Sequence, residues 1–213
     1  MDGNNRWSKK NNKDKRYSYK KGANNLLKLS DYLFNRTNIR YISAFALSSH
    51  NLKRSKALIF LIKELLNEFV NEELKKDKYY YGINFIGDLN FLDKDLILSI
   101  DLLEKKTSSY PKKINIFINY TGQNDLARCI DNIVKFNLKV TKKNISNNLY
   151  TNKIPDPSIL IRTGGYKRLS DFMLYQLSFT ELFFTKKLWP DFSINDLEKI
   201  ILEYSNIDRK FGL

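Results

Sequence analysis

The sequence predicts an α/β fold with a mostly parallel central sheet flanked by helices, and three observations lead there. Short runs rich in Ile, Phe and Tyr alternate with much longer segments, several of them amphipathic. Segments of that length match the crossovers that parallel strands require. Polar clusters follow each apolar run, at the positions where sheets covered on both faces bind ligands.

In chain order, a helical pattern over 22–36 precedes a strand at "YISAFAL", 41–47. The next segment, 55–76, carries Leu58, Ile62, Leu65, Leu66 and Phe69 at steps of three and four, with Lys63, Glu64, Asn67 and Glu68 between them. That spacing gives one apolar helix face. A strand at "YYYGINFIG", 79–87, a helix over 93–105, a strand at "KINIFINY", 113–120, and a helix over 124–136 continue the alternation. "SILIR", 158–162, is the last strand, Ser170 or Asp171 can cap a helix after it, and a terminal helix covers 194–209.

The chain has 213 residues with 42% apolar and 14% aromatic content, enough for one real core, so a single domain over 1–213 is expected. Lys and Arg number 37 against 23 Asp and Glu, a net +14 that favours anionic partners: phosphorylated small molecules, lipid headgroups or nucleic acid. A composition bias toward Lys and Asn would give the same excess. Cys129 and His50 are the only residues of their kinds, which excludes an internal disulfide, a cysteine metal site and multi-histidine zinc chemistry. No apolar run reaches the length of a membrane span and no signal-like region opens the chain, so a cytoplasmic protein is expected.

Four polar segments follow the four predicted strands: "SSHNLKR" at 48–54, "GDLN" at 87–90, "TGQND" at 121–125 and "RTGGYKR" at 162–168. In a parallel sheet they converge on one rim, as a cleft requires. "DGNNR", 2–6, adds an acid, a flexible backbone and a cation; it suits a diphosphate with a bridging Mg2+, although a solvated terminus has the same composition. Gly164 and Gly165 allow close approach to a ligand, and Arg162 and Arg168 bring forked donors matched to diphosphate; a basic loop leading into a helix cap fits the same residues. Glu181 stands in an apolar run, where a metal shared with Asp2 or a cationic partner would equally offset its burial. His50 reads as well as a surface residue as a functional one, and no GxSxG supports a Ser-His-Asp arrangement around it. Trp7, Phe45, Phe69, Phe91 and the aromatics of 172–184 fit core packing better than a channel wall.

Taken together, "MDGNNRW", "FALSSHNLKR", "FIGD", "INYTGQND", "RTGGYKRLSDFMLYQ", "ELFFTKKLWPDF" and "DRKFG" resemble the cis-prenyltransferases, the undecaprenyl diphosphate synthase-like isoprenyl transferases, along nearly the whole chain. The resemblance implies a butterfly-like fold, a homodimer and an apolar tunnel beneath two diphosphate sites. It also implies Mg2+-dependent condensation of isopentenyl diphosphate with an allylic diphosphate such as farnesyl diphosphate, forming cis double bonds and releasing pyrophosphate. On this reading Asp2 and Asn51 are catalytic, and Asp2 and Glu181 bind the metal. Gly3, Asn4, Asn5, Arg6 and Trp7 form the allylic diphosphate loop, joined in substrate binding by Lys15, Tyr19, Ser48, Ser49, His50, Leu52 and Arg54. Arg162, Arg168, Leu169 and Ser170 make the isopentenyl diphosphate site. Peripheral contact with the inner face of a membrane is expected for an apolar product, and no nucleic-acid partner is.

Against the pattern of that family, Asn5 replaces a second glycine, Tyr19 a histidine, His50 a glutamate and Tyr166 a glutamate; Leu52 fills an aromatic position. Thr121, Gln123 and Asn124 depart from a "GGRWD"-like segment that keeps Gly122 and Asp125. The leading strand that normally ends in the Met-Asp pair is expected to be missing. A noncatalytic partner subunit of the same fold is the main alternative, disfavoured because Asp2, Asn51, Arg162, Arg168 and Glu181 are all retained.

Overall fold

The computed structural model describes residues 1–52 and 56–209, so Arg54 lies outside the described residues. In chain order the elements are α1 (Asn4–Lys10), α2 (Lys15–Arg36), β1 (Tyr41–Ser48), α3 (Ser49–Leu52), α4 (Lys56–Leu74), β2 (Gly82–Ile86), α5 (Lys94–Lys106), β3 (Lys113–Tyr120), α6 (Gly122–Lys135), α7 (Lys142–Asn148), β4 (Ile159–Arg162), β5 (Glu181–Phe184) and α8 (Ile194–Ser205). A single 3-10 turn spans Trp189–Asp191. The chain forms two compact units, one made of Ile39–Pro155 with Asp171–Tyr175 and the other of Met1–Asn38, Asp156–Ser170 and the chain from Gln176.

The first of these units is built on a three-stranded parallel sheet in the order β1-β3-β2. Central β3 is buried almost throughout because its residues face packed groups on both sides, and Ile114, Phe117 and Ile118 are essentially inaccessible. Within it Asn115 is fully buried yet satisfied: Asn84 Nδ2 donates to it at 2.9 Å, and it donates to Ser43 Oγ at 3.5 Å. Leu96, Ile100 and Leu103 present the apolar stripe of α5 to this core. The expected stripe of α4 is less sealed. Leu66 and Val70 are buried, whereas Leu58, Ile62, Leu65 and Phe69 remain half-buried.

The second unit holds the parallel pair β4-β5, in register from Ile159 against Glu181 to Arg162 against Phe184. Every described strand pairing is therefore parallel, as the sequence predicts, with the strands distributed over two sheets. Strand β5 escaped the sequence reading because its four residues lie within one long aromatic run. The helix expected after Ser170 is absent: Ser170, Asp171 and Met173 all adopt positive φ, between 46° and 64°, which breaks a right-handed helix. Asp171 caps a helix all the same. Its carboxylate accepts the Gln123 N–H at 2.9 Å and its carbonyl accepts the Gly122 N–H at 2.7 Å, both in the first turn of α6.

Candidate active site

In the unit that contains β4, Asp2 is fixed through its backbone. Its N–H donates to Thr163 Oγ1 at 3.0 Å, that hydroxyl donates back to the Asp2 carbonyl at 3.0 Å, and the Trp189 N–H reaches the same carbonyl at 3.0 Å. The carboxylate is thereby held between two guanidiniums, with Arg6 Nη2 3.2 Å from Oδ1 and Arg162 Nη2 3.1 Å from Oδ2. Thr163 is buried at the end of β4 and was missed in the sequence; a hydroxyl that both donates and accepts, placed between Arg162 and the glycine pair, was the available signal.

Arg162 is the hub of the cluster. Its Nη1 donates to Ser170 Oγ at 2.7 Å and to the Arg168 carbonyl, so Ser170 orients the arginine. Its buried Nε has no partner among the described residues. Arg6 crosses to the glycine loop through a 2.8 Å hydrogen bond from Nη1 to the Gly164 carbonyl. Gly164 adopts φ +87°, a conformation that favours glycine, and a Cβ there would lie 2.4 Å from Arg6 Nη2 and displace that guanidinium. The loop itself is pinned by the Gly164 and Gly165 N–H groups, which donate to the Lys187 and Thr185 carbonyls at 2.7 and 2.9 Å.

The remaining residues of the amino-terminal loop divide by role. Gly3, at φ +113°, precedes α1 with its Cα against Leu188, where a Cβ would sit 2.9 Å from a methyl group. Asn4 accepts a 2.6 Å hydrogen bond from Ser18 Oγ on its carbonyl. Asn5 lies exposed in the first turn of α1, a helical position that makes no demand for glycine. Trp7 is buried, donating from Nε1 to Asp191 Oδ1 at 2.7 Å beneath the Lys21 ammonium, which is 4.3 Å from its ring. Lys15 opens α2 in an exposed position, and Tyr19 is half-buried one turn later. Arg168 is exposed and Leu169 half-buried.

Asp2 and Glu181 are not neighbours along the β4–β5 pair. Asp2 is bound to Thr163, just beyond β4, whereas Glu181 stands opposite Ile159 at the start of both strands, about 13 Å of strand rise away. Glu181 Oε1 lies 3.9 Å from Arg209 Nε, the cationic partner that the sequence left open. Among the described residues no group of three or more acidic, histidine or cysteine side chains could cage a metal. Asp2 alone, between two arginines, fits a Mg2+ that arrives with a diphosphate, since that ion is ordinarily held by one or two carboxylates plus substrate phosphates.

In the unit built on β1-β3-β2, the carboxyl ends of the strands border a polar cavity of about 230 Å3 lined by Ser49, Asp88, Tyr120, Asp125, Arg128 and Tyr150, among others. Three of the four predicted polar segments reach this edge. Ser48 ends β1, and Ser49, His50, Asn51 and Leu52 form the single turn of α3. His50 is exposed, with Nε2 3.6 Å from Asp171 Oδ2, and Asn51 is half-buried. Buried Asp125 accepts from Arg128 Nη2 at 3.1 Å and from the Tyr150 N–H at 2.9 Å, while the Arg128 guanidinium lies 3.7 Å from the Tyr150 ring centroid. Burial, and then the Asp125 carboxylate, push the Tyr120 phenol well above its ordinary pKa, so it stays neutral.

A parallel α/β chain that gathers arginines, a glycine loop and one acid at a strand end has the donors that suit an anionic, phosphate-bearing ligand. The comparisons define it further. A family described as "Putative undecaprenyl diphosphate synthase" matches residues 1–212. An isoprenyl transferase of Helicobacter pylori is 36% identical over an alignment that covers 100% of this chain and 94% of the relative. A tritrans,polycis-undecaprenyl-diphosphate synthase (geranylgeranyl-diphosphate specific) of Pyrobaculum aerophilum is 33% identical, covering 99% and 92%. The crystal structure of lavandulyl diphosphate synthase from Lavandula x intermedia, in complex with dimethylallyl diphosphate, superposes with a TM-score of 0.89 at 28% identity over 100% of this chain and 95% of that one. The chain belongs to the undecaprenyl diphosphate synthase family of isoprenyl transferases, the cis-prenyltransferases, and is an enzyme of that class.

Proposed function

We propose that residues 1–213 form one isoprenyl transferase domain that condenses isopentenyl diphosphate with an allylic diphosphate such as farnesyl diphosphate, releasing pyrophosphate and a polyprenyl diphosphate. The observation that carries this reading is the arginine cluster on Asp2: three guanidiniums, Arg6, Arg162 and Arg168, against one carboxylate, a formal +2. Such a cluster is opposite in sign to the diphosphate groups of both substrates. The unpartnered Nε of Arg162 adds a donor aimed at no protein group.

In this scheme Arg162, Arg168 and Ser170 hold the isopentenyl diphosphate, while Gly3, Asn4 and Arg6 receive the allylic diphosphate. Asp2, together with the substrate's own phosphate oxygens, would hold Mg2+, which when bound would supply Lewis-acid stabilisation of diphosphate charge; Glu181, paired with Arg209 at the far end of β4 and β5, lies apart from it. The allylic C–O bond breaks with its electron pair leaving on pyrophosphate, the charge of which the arginines stabilise. The isopentenyl double bond attacks the allylic carbon, and a proton leaves the adjacent carbon to form the new double bond. Asn51 positions substrate; its carboxamide is no strong base, and the diphosphate oxygen is the better proton acceptor. The family resemblance also assigns substrate binding to Lys15, Tyr19, Ser48, Ser49, His50, Leu52 and Arg54. The half-buried apolar side chains of α4, Leu58, Ile62, Leu65 and Phe69, suit a wall against a growing hydrocarbon and exclude water from a carbocation-like fragment. A homodimer, and peripheral contact with a membrane through the product, belong to the same reading. No helix of the described residues is long and apolar enough to cross a membrane.

The test is incorporation of labelled isopentenyl diphosphate by the purified chain, with dimethylallyl, farnesyl or geranylgeranyl diphosphate as primer and with Mg2+ or EDTA. Chain-extended product that requires Mg2+ is expected, and its length on each primer identifies the preferred one. Folded protein that incorporates no label with any primer would refute the reading.

A further inference from the structure

Tyr166 occupies an unusual position in the arginine cluster. Its ring centroid lies 4.2 Å from Arg168 Cζ, 5.0 Å from Arg6 Cζ and 5.7 Å from Arg162 Cζ, so one aromatic ring serves three cations. The side chain is 43% exposed and is therefore not there to fill a core. Three guanidiniums this close repel one another, and the one carboxylate bonded to them among the described residues, Asp2, is shared between Arg6 and Arg162. Arg168 has no such partner among the described residues; its guanidinium rests on the Tyr166 ring, while its backbone carbonyl is tied to Arg162.

We propose that Tyr166 is a positioning residue that holds the three arginines in a diphosphate-ready arrangement through its π-face, without neutralising any of their charge. The distinction is electrostatic. A carboxylate at position 166 would order the same arginines by ion pairing but would reduce the formal charge of the cluster from +2 to +1, competing with the incoming anion. An aromatic quadrupole attracts the cations and leaves the full charge available. The consequence is a cradle able to bind diphosphate before any metal arrives. This inference rests on reading the cluster as a diphosphate site.

The test is binding of inorganic pyrophosphate to the full chain in EDTA, followed by calorimetry, for the native protein and for Tyr166→Phe, Tyr166→Leu and Tyr166→Glu. Tyr166→Phe, which keeps the ring, is expected to bind within about twofold of the native protein. Tyr166→Leu is expected to lose on the order of fivefold to tenfold, the size of two or three exposed cation–π contacts. Tyr166→Glu is expected to lose at least as much and to show a shallower dependence on salt, because a charge has been removed from the cradle. At position 166 the side chain is exposed enough that circular dichroism should find all variants folded. Tyr166→Leu binding as tightly as the native protein, or Tyr166→Phe binding as weakly as Tyr166→Leu, would overturn the role of the ring while leaving the cradle intact. Native protein that fails to bind pyrophosphate would instead overturn the reading of the cluster itself.

Discussion

Arg162 Nη2 lies 3.1 Å from Asp2 Oδ2, joining the end of β4 to the amino-terminal loop across 160 positions of sequence. Through its other amino group the same guanidinium holds Ser170 Oγ at 2.7 Å. One planar fork therefore orients an acid and a hydroxyl at fixed angles, which an ammonium on a flexible stem cannot do.

Replacing Arg162 by lysine should therefore be far from conservative. Loss of charge-assisted hydrogen bonds in this geometry is expected to lower kcat/KM for isopentenyl diphosphate about 10- to 100-fold. Steady-state incorporation assays check this. An unchanged value would remove Arg162 from substrate binding.

Gly164→Ala tests whether the cradle depends on backbone shape. The added methyl group meets Arg6 Nη2 at 2.4 Å and Asp2 Cγ at 3.2 Å, and φ of +87° is unfavourable for alanine. A stability loss of about 1–2 kcal/mol is expected from the backbone conformation. The displaced Arg6 should also raise KM for the allylic diphosphate more than the stability loss explains. Urea denaturation and initial-rate kinetics separate the two effects.

Asp125→Ala addresses the other unit. The Asp125 side chain is 1% exposed, and its removal takes the acceptor from the Tyr150 N–H and the ion-pair partner from Arg128, which keeps its hydrogen bond to the Asn148 carbonyl. Because the surviving Arg128 is a third exposed, the loss is expected to be about 1–3 kcal/mol, that of a buried N–H deprived of its acceptor. Urea unfolding of Asp125→Ala, Arg128→Ala and the double variant should reveal coupling, with the double variant losing less than the sum of the single ones. Additive losses would show that the pair contributes no specific interaction.

Strands β1 to β4 were legible as short apolar runs set between longer segments: the strand at 113–120 has the same bounds in the structure, and even the weaker helical pattern at 93–105 is displaced by only one residue in α5. Helix α1 was not legible, since "NNRWSKK" has no apolar repeat; what fixes it is burial of Trp7 against groups remote in the chain. The cluster of Asp2, Arg6, Arg162 and Ser170 could be named from motifs, yet its central support could not. Thr163 carries no charge, and its two hydrogen bonds to Asp2 exist only once position 2 and position 163 meet. Asp171 shows the opposite case: the capping residue was recognised, but tertiary contact set which helix it caps.

The acid limb of stability should carry the signature of Asp196. Burial alone would raise its pKa, but hydrogen bonds from Lys187 Nζ and from the Ser193 hydroxyl and N–H, together with the Lys187 charge, hold it down to about 2 from 3.8. The Ser193 N–H bond, with the Ser193 hydroxyl accepting the Asp196 N–H in return, forms the capping box that starts α8. The native state thus binds a proton at Asp196 less readily than the unfolded chain does. The resulting stabilisation is complete above about pH 4 and disappears as pH falls through about 2. Because Lys187 is half-exposed, solvent screening reduces the contribution to about 1 kcal/mol. Asp196→Asn is expected to lose roughly that amount at pH 6 and to differ progressively less from the native protein as the pH approaches 2. Urea unfolding across this range checks both, and a difference that persists unchanged at pH 2 would show that Asp196 acts through packing rather than through its charge.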